Sequence, residues 1–168
     1  MPVLLCWPAE AESDQMTSDF LQNHPAFIPR LADLCGREWA HLYKGWTNET
    51  ARQEFETQRT DGQLPLSLVA LEDGKLLGAV SVIYDDLPGF EHLNPWLASL
   101  FVLPEHRGKN IGVFLVREAE KLLAQNGIPA AWLFTESAQG FFAKSGWRHF
   151  EDATCNGHPV AVFKKEFF

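Results

Sequence analysis

The sequence predicts an α+β fold, with a central mixed, mostly antiparallel sheet flanked by about four helices. Apolar residues recur at helical spacing in some segments and form strand-like runs in others. The turns Asp73-Gly74 and Asn156-Gly157 each join two strand-like runs and are typical of β-hairpins. One long helical segment lies between two single strands, so those strands are expected to be parallel neighbours.

The first half of the chain predicts two helices and then a hairpin. Apolar side chains at helical spacing indicate a helix within residues 24–43; they are Phe27, Ile28, Leu31, Leu34 and Cys35. A more polar helix is expected over 48–60, with Asn48 as its cap and Asp61-Gly62 as its end. Residues 66–84 then supply the two antiparallel strands of the first hairpin.

The second half of the chain alternates strands with helices. Ile111, Leu115, Ala119, Leu122 and Leu123 form one apolar stripe, and Asn126-Gly127 ends that helix. The predicted order is a strand at 96–102, the long helix, a strand at 130–135, a short helix at 137–146, and a final strand pair at 147–154 and 159–167. The whole predicted order is therefore ααββ, β, α, β, α, ββ.

Length and composition favour one domain over residues 1–168, with residues 1–16 as a loosely attached N-terminal arm. The net charge of −8 disfavours a nucleic-acid or anionic-membrane partner and suits a cationic substrate. The three cysteines have no metal-ligand spacing, and no segment reads as a signal peptide or a membrane span. We therefore expect a cytoplasmic protein with reduced thiols and no metal.

Residues 104–112, PEHRGKNIG, join a strand directly to the long helix. The first amides of a helix lack intrahelical acceptors, and the helix dipole favours an anion there. Arg107 and Lys109 add full positive charges, so a pyrophosphate is the expected ligand. The alternative is an ordinary glycine-bearing turn whose amides bind water. Neither the Walker pattern nor GxGxxG is present.

This turn resembles the pyrophosphate loop of the GNAT superfamily of N-acetyltransferases, which reads [QR]xxGx[GA]. Arg107, Asn110 and Gly112 occupy that pattern. Asn110 replaces the usual glycine, and asparagine is the side chain that best tolerates positive φ.

A second segment, 135–147, resembles the NxxAxxFYxxxGF stretch of the same family. Thr135 stands at the Asn position, Ala138 and Phe141 match, and Phe142 replaces the tyrosine. The resemblance implies a GNAT-like acyl-CoA N-acyltransferase fold, with acetyl-CoA as the co-substrate. The residues that it implies for cofactor binding are Leu100, Phe101, Val102, Arg107, Gly108, Lys109, Asn110, Ile111, Gly112, Val113, Thr135, Phe141 and Phe142.

Acetyl transfer to an amine requires a base, because an aliphatic ammonium must first lose a proton. Asp85, Asp86, Glu91 and His92 cluster in one loop, and Glu136 follows the 130–135 strand. We predict Glu91, His92 and Glu136 as the catalytic residues; each has the alternative of an exposed loop charge or a helix cap. The resemblance implies a tyrosine that protonates or hydrogen-bonds the departing sulfur, and Phe142 cannot do this. Water, Ser137 or backbone N–H groups are the alternatives, and Tyr43 and Tyr84 are the only tyrosines elsewhere in the chain.

The sequence thus predicts an acetyl-CoA-dependent N-acetyltransferase that acts by direct attack of a primary amine. The acceptor is a small molecule or a peptide, with no nucleic acid and no membrane as partner, and the protein is a monomer or a homodimer. The alternative is a non-catalytic acyl-CoA-binding or protein-interaction module.

Overall fold

A seven-stranded sheet forms the centre of the molecule. The structure is a computed structural model and describes residues 15–168. The strands in this range are β1 (Thr17–Phe20), β2 (Leu66–Glu72), β3 (Lys75–Ile83), β4 (Trp96–Val102), β5 (Ala130–Thr135), β6 (Arg148–Cys155) and β7 (His158–Glu166). They lie in the order β1-β2-β3-β4-β5-β7-β6, and every neighbouring pair is antiparallel except β4 and β5. The predicted mixed, mostly antiparallel sheet is confirmed.

Helices cover both faces of the sheet. The α-helices in the described range are α1 (Ile28–Trp39), α2 (Asn48–Glu56), α3 (Ile111–Gln125) and α4 (Gln139–Lys144). Successive side chains of a strand point to opposite faces. Accordingly, Leu66 and Leu68 of β2 pack in the same core as α3 and α4, whereas Val69 and Leu71 pack in the core of α1 and α2. None of the helices in this range is long and apolar enough to cross a membrane.

The bounds of α2 differ from those that the sequence predicts. The Oγ1 atom of Thr47 accepts a hydrogen bond from the N–H of Thr50 at 3.1 Å, so Thr47 caps the helix and Asn48 is its first residue. The helix ends at Glu56, because the chain then turns back and the N–H of Arg59 donates to the carbonyl of Pro65 at 2.8 Å.

Strand β1 was not predicted. It pairs with β2, from Thr17 opposite Leu71 to Phe20 opposite Leu68, and the Ser18 hydroxyl donates to the Glu118 carboxylate at 2.8 Å. A four-residue strand with no apolar alternation gains its hydrogen bonds from the free edge of β2, which is a tertiary effect. The predicted N-terminal arm, residues 1–16, lies almost wholly outside the described residues.

Candidate active site

The parallel strands β4 and β5 separate soon after they meet. Their register within the described chain is a single pair, Trp96 with Trp132, and the N–H of Trp132 donates to the carbonyl of Pro95 at 3.0 Å. Beyond this point the two strands diverge, and a cavity of about 540 Å³ fills the gap; we call it the central cavity. Residues Leu97 to Val102 of β4 and Leu133 to Thr135 of β5 line it.

A β-bulge shapes the β4 wall of this cavity. Ala98 lies opposite Ser81 and Phe101 lies opposite Ala79, so Ser99 and Leu100 share one partner position on β3. Ser99 has a φ of 51°, in the left-handed region. A bulge of this kind bends the strand and redirects its side chains and backbone groups. The bulge and the separation of β5 together leave β4 backbone groups bordering the cavity instead of a neighbouring strand.

The turn before α3 forms the basic end of the central cavity. Arg107 lines the cavity, and its Nε donates to the Val102 carbonyl at 3.0 Å, which fixes the guanidinium beside β4. Gly108 and Asn110 both have positive φ, 79° and 61°. The first hydrogen bond of α3 runs from the N–H of Phe114 to the carbonyl of Asn110 at 3.1 Å. The amides that precede Phe114 are therefore available to an anion.

Gly112 leaves room for a protein neighbour. A Cβ at this position would lie 3.3 Å from Cζ of Phe141, which is tighter than ordinary van der Waals contact. The glycine therefore lets the aromatic ring of Phe141 pack against the first turn of α3. Both residues line the central cavity.

Asp86, a half-buried aspartate, marks the opposite end of the cavity. The hydroxyl of Tyr43 donates a hydrogen bond to Asp86 Oδ1 at 2.8 Å. Burial of the Asp86 carboxyl raises its pKa to about 7, and repulsion from Glu54 adds to this effect, whereas the Tyr43 hydrogen bond opposes it. Burial also raises the pKa of Tyr43, so this phenol keeps its proton. Asp86 is therefore able to exchange a proton near neutral pH.

Asp86 and Tyr43 stand where the central cavity meets a second one. The second cavity, which we call the side cavity, has a volume of about 450 Å³ and lies beside α2 and β3. Tyr43, Asp86 and Ser99 border both cavities. The side cavity is aromatic and acidic; its lining includes Trp46, Glu54, Phe55, Tyr84 and Asp85.

The loop after β3 places its two adjacent aspartates in different surroundings. Asp85 is exposed; its N–H donates to Asn94 Oδ1, and Asn94 Nδ2 donates back to Asp85 Oδ1, both at 2.8 Å. This pair closes the base of the loop, and Leu87 is fully buried beneath it. Asp86, between the closure and the buried leucine, is thereby directed toward the cavities.

The structure brings one of the three predicted catalytic residues to the central cavity. Glu136 lines it and is bonded to Nε2 of His41 at 2.6 Å. Glu91 and His92 are exposed and line neither cavity. The Glu91 carboxylate accepts the N–H of Gly89 at 3.0 Å, and this bond lowers its pKa. Glu91 and His92 therefore belong to the outer surface of the loop that carries Asp86.

Most of the residues predicted to bind the cofactor surround the same cavity. Those that line it are Leu100, Phe101, Val102, Arg107, Gly112, Thr135, Phe141 and Phe142. Gly108, Lys109 and Asn110 are exposed in the adjoining turn, Val113 is half-buried, and Ile111 is buried in the core. The Thr135 hydroxyl oxygen accepts the N–H of Ala138 at 3.0 Å and so shapes the turn before α4.

Sequence reasoning placed Asp86 in the acidic loop without selecting it as a base, and it named Tyr43 only as a tyrosine available to protonate the sulfur. Their hydrogen bond joins positions 43 residues apart. Local sequence patterns carry no information about such a contact. Phe142, where the related pattern has tyrosine, is 5% exposed and packs edge-on against Trp147.

Known proteins share sequence features with this chain. The sequence profile described as "Acetyltransferase (GNAT) family" matches residues 31–147. An uncharacterised N-acetyltransferase from Chlorobaculum tepidum is 26% identical over 122 residues, which cover 73% of this chain and 74% of the relative.

Solved structures share the fold at low identity. An aminoglycoside 6'-N-acetyltransferase complexed with coenzyme A has a TM-score of 0.70 and 19% identity, covering 92% of this chain and 97% of that one. The PaiA N-acetyltransferase from Thermoplasma acidophilum, in complex with coenzyme A, has a TM-score of 0.65 and 21% identity, covering 90% and 99%.

Proposed function

The chain belongs to the acetyltransferase (GNAT) family and is an N-acetyltransferase; from this premise we propose that it acetylates a small cationic amine, with Asp86 as the general base. The prediction of an N-acetyltransferase is thus confirmed, and acetyl-CoA-dependent acetyl transfer is supported by the family and by neighbours that hold coenzyme A. The observation that carries the proposal is the Asp86–Tyr43 pair at the junction of the two cavities.

Acetyl-CoA is proposed to occupy the β4 side of the central cavity. The amides before Phe114, with Arg107 and Lys109, suit a pyrophosphate in number and in charge. Backbone groups around the Ser99 bulge border the adjoining space, where they would bind an amide-bearing arm and a polarised thioester carbonyl. Phe141 would pack beside the arm from α4.

The acceptor is proposed to approach from the acidic end. The carboxyl groups that border the two cavities are those of Glu38, Glu54, Asp85, Asp86 and Glu136. Trp46 and Tyr84 border the side cavity as well, and aromatic faces attract cations. This combination favours an amine that carries a further positive charge, and the side cavity has room for a small molecule rather than for a folded chain.

Asp86 and Tyr43 supply the proton chemistry in this proposal. An aliphatic amine arrives as an ammonium ion, and Asp86 removes one proton. The free nitrogen attacks the thioester carbon and forms the C–N bond, and the C–S bond then breaks with its electron pair on the sulfur. The nitrogen of the new amide then loses its second proton, and the sulfur gains a proton, so that coenzyme A leaves as a thiol. Tyr43 orients the Asp86 carboxylate throughout.

Direct attack is favoured over an acyl-enzyme. Cys155 is buried, its thiol donates to the carbonyl of Leu42 at 3.2 Å, and burial raises its pKa. Because the thiolate is the nucleophilic form, this cysteine is a poor acyl acceptor. Cys35 is also buried, and burial raises its pKa to about 12.

The acceptor class is tested with three primary amines that differ only at the far end. Thiol release from acetyl-CoA is followed with 1,4-diaminobutane, 4-aminobutan-1-ol and 4-aminobutanoate. The expected kcat/KM falls in that order, by about fivefold for each unit of charge, which is the scale of a partly screened ion pair. A short peptide with a free N-terminus is expected to react more slowly than the diamine.

Two results would overturn the proposal. One is equal kcat/KM for the diamine and the amino acid, which would show that the acidic lining does not select charge. The other is turnover of the peptide with no turnover of the diamine, which would assign the acidic end to a protein N-terminus.

A further inference from the structure

Three side chains from distant segments meet at the rim of the central cavity. His41 follows α1, Glu136 follows β5, and His158 begins β7. His41 Nε2 lies 2.6 Å from Glu136 Oε1, and His158 Nδ1 lies 3.9 Å from Glu136 Oε2. The two imidazole rings pack edge to face with centroids 4.9 Å apart. One nitrogen of each histidine and one oxygen of the glutamate all lie within 4.8 Å of one another.

The backbone holds this trio in place. Asn156 Nδ2 donates to the His41 carbonyl at 2.8 Å, and the Cys155 thiol donates to the Leu42 carbonyl at 3.2 Å. Both bonds tie the segment after α1 to the β6–β7 turn, in which Cys155 pairs with His158. Thr135, next to Glu136, pairs with Ala161 of β7. The three side chains thus project from segments that share one framework.

A simple ion pair does not account for the whole arrangement. His41 satisfies one oxygen of Glu136, whereas His158 is too far from the other oxygen for a hydrogen bond. The side chains of His41, Glu136 and His158 are 42%, 31% and 44% exposed, so an ion from solvent can reach the space between them. Imidazole nitrogen and carboxylate oxygen are suitable ligands for such an ion.

We propose that His41, Glu136 and His158 bind one Zn²⁺ ion, with water as the fourth ligand. Two histidines and a glutamate are an established ligand set for four-coordinate zinc, with metal–ligand distances of about 2.0–2.2 Å. Tetrahedral ligands at that distance lie about 3.3 Å from one another. The contacts at 2.6 and 3.9 Å reach different oxygens of Glu136, but one nitrogen of each histidine and one glutamate oxygen lie within 4.8 Å of one another, so side-chain rotations can bring the three ligand atoms to this spacing. Two nitrogen ligands disfavour Mg²⁺ and Ca²⁺, which take oxygen ligands.

The sequence predicts no metal, and the reason lies in the spacing of the ligands. Positions 41, 136 and 158 contain no short-range motif, unlike a pair of histidines four residues apart on a helix. The cluster exists only because the fold brings the end of α1, the end of β5 and the start of β7 together.

The test is direct zinc binding by the full-length chain, measured by isothermal titration calorimetry with Zn²⁺ alone. A Cys6→Ser background removes the one thiol that lies outside the described residues. We expect one ion per chain and an affinity that falls about tenfold or more in both His158→Ala and Glu136→Gln. The matched control is His149→Ala, since His149 bonds one carboxylate, Asp152, at 2.8 Å and is not part of the trio. This control should bind zinc as the parent does.

A second probe reports geometry. Co²⁺ in a four-coordinate site of nitrogen and oxygen ligands absorbs visible light far more strongly than octahedral aqueous Co²⁺, and we expect this absorption in the parent and its loss in His158→Ala. Circular dichroism of each variant checks the fold. The proposal is overturned if no zinc binds, if both trio variants bind as the parent does, or if millimolar Mg²⁺ displaces the zinc.

Discussion

The two ends of the central cavity differ in how the chain builds them. The basic end comes from one stretch, from Val102 through the turn to the first residues of α3, and its charges are exposed. The acidic end comes from separate loops, which bring Tyr43, Asp86 and Glu136 together across the sheet. The first end can be recognised as a motif, whereas the second exists only in the folded protein.

Because the two ends differ in burial, their charged groups respond differently to salt and to pH. Arg107 is exposed, so salt screens the field of its charge. The surroundings of the half-buried Asp86 raise its pKa to about 7, chiefly through desolvation. Substitutions at the basic end should therefore change cofactor affinity, and substitutions at the acidic end should change the rate of chemistry.

The largest effect is expected from Asp86→Asn. The amide can still accept the Tyr43 hydrogen bond but cannot take a proton, so kcat should fall by about 10²- to 10⁴-fold. Stopped assays of product formation at saturating acetyl-CoA and amine measure this change. In the parent, kcat/KM should fall as the pH drops below about 7, because Asp86 is then protonated. This limb of the profile should be absent from the variant.

Glu91→Gln and His92→Asn are the matched controls for that measurement. Both side chains lie on the same loop as Asp86 but line neither cavity, so each variant should keep its kcat within about twofold. If either variant loses as much kcat as Asp86→Asn does, the general base is the substituted residue, as the sequence first suggested, and not Asp86.

Arg107→Ala should weaken coenzyme A binding by about 10- to 100-fold, the value of a hydrogen bond to a charged group. The comparison variant is Lys109→Ala, which removes the same charge from the same turn. Arg107 is fixed by the Val102 carbonyl, and both Lys109 and Arg107 are exposed. A guanidinium that is already fixed loses less entropy on binding than a mobile lysine side chain, so Arg107 should contribute more to affinity. Lys109→Ala should therefore weaken coenzyme A binding less than Arg107→Ala does. Calorimetric titration with coenzyme A gives the affinity of both variants. Equal losses would show that the hydrogen bond from Arg107 to the Val102 carbonyl has no role in binding.

Most of the fold could be predicted because its determinants are local. Asp73-Gly74 and Asn156-Gly157 lie at the turns of the hairpins β2–β3 and β6–β7, and the apolar stripe of α3 faces the core. Strand β1 could not be predicted, since Thr17–Phe20 is a strand only because the edge of β2 accepts it.

The residues of the site also divide into those set by local sequence and those set by the tertiary fold. Arg107 and Gly112 follow from one short pattern next to a helix start. Asp86 could not be distinguished from Asp85 by sequence, because their difference arises from the Asp85–Asn94 closure and from a tyrosine 43 residues away. Glu91 and His92 have suitable chemistry for a base, but the fold of their loop places them outside both cavities.

A smaller effect concerns the stability of the acidic end. The folded pKa of Asp86 lies well above that of an unfolded aspartate, so the free energy of unfolding should decrease as pH rises from about 4 to about 7. Asp86→Asn removes this dependence. The variant should be more stable than the parent at pH 8, with a smaller gain at pH 5. Urea unfolding at both pH values measures the difference. A variant that is less stable than the parent at pH 8 would show that the ionised Asp86 carboxylate does not destabilise the folded protein.

The smallest effect is expected at Asn110, the left-handed residue before α3. Its φ of 61° and ψ of 19° suit glycine or asparagine, whereas an alanine there has its Cβ near the next carbonyl. Asn110→Gly should therefore change the free energy of unfolding by less than about 0.5 kcal/mol and leave coenzyme A affinity unchanged, because no side-chain cap is lost. Asn110→Ala should cost about 1 kcal/mol and weaken the cofactor, since relief of the strain would move the amides of the turn. If alanine and glycine behave alike in urea unfolding and in calorimetry, the left-handed turn is not what positions the anion site.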